Sequence, residues 1–318
     1  MAVPVILDCD TGTDDAVAIM CAALHPGIEL LGVCTVWGNH DVRHTTDNSL
    51  RVLDLIGAGG VPVVPGLNGP FRGRATPLAS GRVDLPPTLD LPAATTTAHR
   101  GHAPDWIADT VLAHSEPVTV VTTGPLSNLA AAAQAHPELV GRVDRVVCLA
   151  GTHEEPGVLP LVERNVWCDP EAAAYVLDAG FADLTFVGMD ATFAAPLVAA
   201  DAAAFEALGT SAGQEAARML RERIAWYERD AAMSALGAAP LHDPMAVAHV
   251  LDPHILGVRR TRAGVDLADG ATYGRTVYDF DGEGGPTTLA VGLTADHDRF
   301  MSWLLRALSG VLGAPEQR

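Results

Sequence analysis

The sequence predicts an α/β fold: a mostly parallel sheet flanked by helices, with a helical and β-hairpin appendage towards the C-terminus. Three observations predict it. Short, continuously apolar runs alternate with segments of helical periodicity through the first two-thirds of the chain. These runs lack polar alternation, so both faces are buried, as in a parallel sheet covered on each side. The chain has 318 residues, 48% of them hydrophobic, which suffices for a large core. No repeat or linker divides it, so residues 1–318 read as a single domain.

Each element has its own signal. Val5-Ile6-Leu7 marks a strand over 3–8, and Ala16, Val17, Ile19, Met20, Ala23 and Leu24 give a helix over 14–24. A strand at 28–35, a helix at 41–56 and a strand at 61–64 come next. Segment 66–102 is rich in Gly, Pro, Thr and Arg, and a loop that long is expected to be a functional flap. Helix 104–114, strand 117–122, helix 125–135, strand 143–149, helix 169–179 and strand 183–188 continue the alternation. Beyond 195 the pattern changes. Ala216, Met219, Leu220, Ile224 and Tyr227 predict one long helix over 211–235. Asp243 and Pro244 open a short helix over 243–250. Strands at 254–265, 271–280 and 287–294, joined through Asp-Gly and Gly-Gly turns, read as antiparallel, and a helix at 296–312 follows.

Composition excludes several function classes. The formal net charge is −19, and all twenty basic residues are Arg. Nucleic acids and anionic membranes require a basic footprint, so neither is an expected partner. The five cysteines form no Cys-x-x-Cys pair and lie in apolar segments, as expected of reduced thiols in a cytoplasmic protein. The first residues enter a strand with no charged-then-apolar leader, and no run of 18 apolar residues occurs.

Chemistry concentrates at strand ends, where an open α/β sheet places its site. Asp8, Asp10, Asp14 and Asp15 put four carboxylates within eight residues, and no Lys or Arg precedes Arg43. Like charges that close need a cation, and hard oxygens suit Ca²⁺ or Mg²⁺. Helix capping would explain one or two of these acids and not the set. Cys9 lies among them, where its thiolate is disfavoured. Thr122-Thr123-Gly124-Pro125-Leu126-Ser127-Asn128 ends another strand in a turn whose exposed carbonyl suits Ca²⁺, or which simply connects two elements. His242-Asp243 opens a helix; Asp243 is a cap or a ligand. Trp37-Gly38-Asn39-His40 and Glu163-Arg164-Asn165 lie on other sheet-end loops, and their Asn and Glu side chains suit hydroxyl-rich ligands.

In order and separation these motifs resemble the inosine–uridine-type nucleoside hydrolases, whose N-terminal signature is matched by Asp8-Cys9-Asp10-Thr11-Gly12-Thr13-Asp14-Asp15. Gly38-Asn39, Thr123 to Asn128, Glu163-x-Asn165 and His242-Asp243-Pro244 extend the resemblance over nearly the whole chain. It implies a nucleoside hydrolase-like fold with a Rossmann-like core and one bound Ca²⁺. Asp10, Asp15, the Thr123 carbonyl and Asp243 would then ligate the metal. Asp14, Asn39, Glu163 and Asn165 would hold the ribose, Asp10 would take a proton from the attacking water, and His242 would lie at the departing base. Trp226, on the long helix, is expected against the substrate, and the 66–102 segment to exclude water. The implied reaction cleaves the N-glycosidic bond of a ribonucleoside, or a modified ribosyl compound, through an oxocarbenium-like state. The resemblance also implies a homodimer or homotetramer.

Four departures from the family pattern stand out. Arg164 replaces a usual Phe, and Gly157 a frequent Asn. Leu149-Ala150-Gly151 stands where Met-Gly-Gly is usual, and His99-Arg100-Gly101-His102 matches a His-Gly-x-x-Gly segment only loosely. They imply a pocket for the sugar 5′-end reshaped by Gly157 and Arg164, suited to a modified or acidic 5′ group. Two other readings compete. A non-catalytic Ca²⁺-dependent nucleoside- or ribose-binding protein would keep Asn39, Glu163 and Asn165 without turnover. A haloacid-dehalogenase-like phosphatase would use Asp8-x-Asp10 but needs a Lys, which this chain lacks. No Gly-x-Gly-x-x-Gly or Walker loop is present, which removes dinucleotide and nucleoside-triphosphate chemistry.

Overall fold

The computed structural model describes residues 2–72, 86–158, 161–281 and 289–310. Parts of the expected 66–102 flap, of the 287–294 strand and of the last helix therefore lie outside the described residues.

The first half alternates as expected. β1 (Val3–Cys9) leads to α1 (Thr13–Leu24), β2 (Ile28–Thr35) to α2 (Val42–Leu55), and β3 (Val63–Pro65) to α3 (Ala103–Ala113). β4 (Val118–Thr122) leads to α4 (Ser127–Ala135), β5 (Val143–Leu149) to α5 (Arg164–Cys168) and α6 (Pro170–Asp178), and β6 (Leu184–Val187) to α7 (Met189–Ala194). β7 (Leu197–Val198), α8 (Ala199–Glu206), α9 (Ser211–Tyr227), α10 (Ala231–Leu236), β8 (Ala238–Ala239) and α11 (Asp243–Leu251) follow. β9 (Leu256–Val265), β10 (Thr276–Asp279), β11 (Leu289–Ala295) and α12 (His297–Ser309) complete the described chain.

Among the described residues nine strands form one sheet, in the order β10-β9-β11-β6-β5-β4-β1-β2-β3. From β11 to β3 every pairing is parallel. β1 sends Val5 and Leu7 into one core and Ile6 into the other, so the strand is apolar throughout because each face is covered. The chain runs from β1 outward through β2 and β3, then returns to place β4 on the other side of β1. This reversal opens a crevice beyond the carboxyl ends of β1 and β4, where Asp10 and Thr123 follow.

The short elements α5, α7, β7, α8 and β8 are not among those expected from the sequence, and two longer features differ in kind. The C-terminal hairpin is no separate layer: β11 pairs in parallel with β6 and antiparallel with β9, so these strands extend the main sheet. The long helix ends at Tyr227, because the Asp230 carboxylate accepts the Ala232 and Met233 amides at 3.0 and 3.1 Å and starts α10 afresh. Among the described residues no helix is long and apolar enough to cross a membrane.

Candidate active site

The crevice is a buried acidic cavity. Asp10 follows β1, and Asp14 and Asp15 sit in the first turn of α1, all three buried. Asp15 Oδ2 accepts the Gly12 amide at 2.9 Å, and Asp15 Oδ1 accepts the Thr123 hydroxyl at 2.7 Å. From the far half of the chain α11 brings in Asp243, also buried. Asp14, Asp15 and Asp243 each offer a carboxylate oxygen within 4.8 Å of the others. Asp10 lies outside that trio, at the cavity wall. Its Oδ2 accepts the Asn39 amide at 2.6 Å, while Asn39 Nδ2 donates to the Asp10 carbonyl at 3.0 Å. Gly38 permits this approach, since a Cβ there would stand 2.2 Å from Asp10 Oδ2.

Opposite these acids lie Glu163 and Asn165. Glu163 caps α5: Oε1 accepts the Asn165 amide at 2.7 Å, and Oε2 accepts the Val166 and Gly151 amides at 3.1 and 3.2 Å. Both Asn165 Nδ2 protons are used, on the carbonyls of Thr123 (2.8 Å) and Leu149 (3.0 Å), so its Oδ1 is the atom offered to a ligand. The Thr123 carbonyl therefore already carries one hydrogen bond. Gly157 and Arg164 line the same cavity, and Arg164 Nη2 reaches the Gly38 carbonyl at 3.4 Å.

The cation that the N-terminal sequence lacks comes from elsewhere. Arg223 of α9 is 5% exposed, and its Nη1 pairs with Asp14 Oδ1 at 2.8 Å. The same guanidinium donates to the Pro240 carbonyl at 3.0 Å and the Thr13 hydroxyl at 3.3 Å. Its signal in the sequence is a charge on an apolar stripe, at helical spacing from Met219, Leu220 and Tyr227. Trp226 does not line the cavity; Tyr227 does, because adjacent helical residues point about 100° apart. Met189 and Phe193 of α7 complete that apolar side.

Burial sets the electrostatics. Desolvation, and then repulsion by the neighbouring carboxylates, raises Asp10, Asp15 and Asp243 above the ordinary carboxylate range. Glu163 is raised by burial against the pull of its three amides. Burial likewise lifts the Cys9 thiol, with Asp15 adding to it, so Cys9 is inert as a nucleophile. Burial, reinforced by Arg223, pushes the His242 imidazole down to about 3, so it is neutral at pH 7 and holds no imidazolium proton to give as an acid. Its partners fix the tautomer. The Thr192 hydroxyl donates to the Met189 carbonyl at 3.0 Å and so accepts from His242 Nδ1 at 2.8 Å. His242 Nε2 then accepts from the Tyr227 hydroxyl at 3.0 Å.

A profile of the family described as inosine-uridine preferring nucleoside hydrolase matches residues 5–302. The chain belongs to that family. The inosine-uridine preferring nucleoside hydrolase of Crithidia fasciculata is 34% identical over 321 residues, covering 98% of this chain and 99% of that protein. The pyrimidine-specific ribonucleoside hydrolase RihA of Shewanella sp. (strain MR-4) is 32% identical over 313 residues, 97% of each chain. A solved purine-preferring ribonucleoside hydrolase from Gardnerella vaginalis superposes with a TM-score of 0.87 at 30% identity, over 96% of this chain and 98% of that one. This nucleoside hydrolase thus cleaves the N-glycosidic bond of ribonucleosides and is an N-glycosyl hydrolase.

Proposed function

We propose that this nucleoside hydrolase acts with one Ca²⁺ held by Asp15, Asp243, the Thr123 carbonyl and the acids beside them, Asp10 or Asp14. One observation carries the reading: carboxylates from both halves of the chain converge, buried, on one cavity, within 4.8 Å of one another in the Asp14, Asp15 and Asp243 trio. The donors are all hard oxygens, which suits Ca²⁺ over softer metals. Charge counting agrees. Asp10, Asp14, Asp15, Glu163 and Asp243 face Arg164 and Arg223, so a dication leaves one negative charge. The sugar develops one positive charge in an oxocarbenium-like state, which that charge stabilises.

A Ca²⁺ held by these residues would supply a water of lowered pKa. Asp10 is the base: the Asn39 amide fixes its Oδ2, leaving the other oxygen to take the proton. Asn165 Oδ1, Glu163, Asn39 and Asp14 hold the ribose hydroxyls. The Tyr227 hydroxyl rests with its one proton on the neutral His242 Nε2; to protonate the departing base it turns that proton from Nε2 to the base, leaving a tyrosinate beside Arg223 that solvent reprotonates. Arg164 beside Gly157 sets the fit of the sugar 5′-end, and Arg164→Phe is expected to change the ranking of 5′-modified substrates. The protein is read as cytoplasmic, in keeping with five buried free cysteines, and as a homodimer or homotetramer, which light scattering tests.

The decisive experiment incubates the purified protein with purine and pyrimidine nucleosides and follows free ribose with and without a chelator. Release that stops on metal removal and returns with Ca²⁺ is expected. Release indifferent to complete metal removal refutes the Ca²⁺ reading, and binding without release from any nucleoside favours a non-catalytic binder.

A further inference from the structure

Between β5 and α5 the chain doubles back and builds one wall of the cavity with Pro156, Gly157 and Val158. No regular element runs through 152–158, so its backbone amides need partners from outside. Asp190 of α7 supplies them. Its Oδ2 accepts the His153 amide at 2.7 Å, and its Oδ1 accepts the Glu154 and Glu155 amides at 2.8 and 3.3 Å. Three consecutive amides thus close on one carboxylate immediately before the wall. On the other limb the Val158 amide donates to the Val162 carbonyl at 2.9 Å. Only glycine fits at 157, since a Cβ would come within 1.8 Å of that same carbonyl oxygen. Gly157 and Val158 are therefore held by close packing against Val162, and residues 153–155 by Asp190, 35 to 37 residues further along the chain, together with the Thr152 hydroxyl, which donates to the Glu155 carbonyl at 2.6 Å.

α7 serves both sides of the cavity. Met189 and Phe193, one turn apart, line it, Thr192 holds His242 Nδ1, and Asp190 takes the wall. We propose that Asp190 is a positioning residue for substrate selectivity: by gripping the 153–155 amides it sets how far Pro156, Gly157 and Val158 stand from the ribose-binding carboxylates. Asp190 itself does not line the cavity, so it acts through the wall. The proposal rests on this cavity being the nucleoside site.

The test compares wild type, Asp190→Ala, Asp190→Asn and Asp201→Ala by kcat and KM on inosine, uridine and adenosine. Thermal melts with and without Ca²⁺ run in parallel. Asp201 is the control, because it pins the Val198 amide at 2.8 Å where β7 meets α8 without lining the cavity. Asp190→Ala is expected to raise KM about tenfold or more, the order of one lost hydrogen bond to a charged group. Its kcat and Ca²⁺-induced melting shift stay near wild type, and the ratio of KM values among the three nucleosides changes. Asp190→Asn, which keeps one acceptor oxygen, falls between the two. An Asp190→Ala enzyme with wild-type KM values and ratios overturns the proposal. An equal rise in KM for Asp201→Ala overturns it too, since general loosening would then account for the effect. Failure of the cavity reading is distinct, because Asp10→Ala would then keep wild-type ribose release.

Discussion

Arg223 and Asp14 form a buried pair of which neither half can be removed alone without leaving a bare charge. Breaking such a pair from one side costs about 3–5 kcal/mol. Arg223→Met is expected to lose stability of that order in urea with a chelator present, and less with Ca²⁺, which compensates Asp14 in its place. Equal losses in the two conditions would separate Asp14 from the metal. Asp10→Ala is expected to lower kcat by about 10²–10⁴-fold, the usual worth of a general base, while the protein still melts cooperatively; ribose release measures it. Asp8 is a different case. It is fully buried, Asn128 Nδ2 donates to its Oδ1 at 2.8 Å, and burial pushes its carboxyl up to about 7. A raised carboxyl favours the fold while protonated, so its contribution is fully present below about pH 4, the unfolded value, and is lost as pH rises to 7. Asp8→Asn carries no charge at any pH. The melting temperature of wild type should therefore fall relative to the variant between pH 4 and pH 7; parallel curves would contradict this. The N-terminal acids were legible as a cluster from their spacing, whereas Asp243 joined them only through the family resemblance. Arg223 was not, because a guanidinium 209 residues from its partner leaves no local trace except a charge on an apolar helical stripe.

The elements divide in the same way. β1 to β6 and the helices α1 to α4 and α6 were readable because continuous apolar runs and helical periodicity report burial directly, while the short α5 and α7 left no periodic signal. The break between α9 and α10 was not, since it depends on Asp230 capping a new turn where propensity alone would carry one helix through. That break matters because α9 ends at Tyr227, which meets His242 at 3.0 Å. Tyr227→Phe is expected to slow inosine hydrolysis about 10²-fold or more, in the range for general acid catalysis. A riboside whose leaving group departs as a stable nitrophenolate needs no proton and should be little affected. Equal slowing on both substrates would give Tyr227 a binding role only. His242 was legible as a site residue but not in its protonation state, which burial decides and spacing cannot report.

On the scale of the whole molecule, the sheet order was hidden from local pattern. The last strands looked like an appendage because antiparallel hairpins carry their own turn signals, yet β11 inserts between β9 and β6. A dication that binds only the folded cavity stabilises it by mass action, about 2.7 kcal/mol at a hundredfold excess over Kd. Ca²⁺ should therefore raise the melting temperature and a chelator lower it, and Asp243→Ala should abolish the shift. The joining of both chain halves at one cavity also has a temporal side. During synthesis Asp10, Asp14 and Asp15 leave the ribosome long before Arg223 and Asp243. A nascent chain halted short of residue 223 holds an acidic turn it cannot bury. α1 therefore waits, unsealed, on residues translated at the opposite end, and a protein shortened from its C-terminal side is expected to fail first at its beginning.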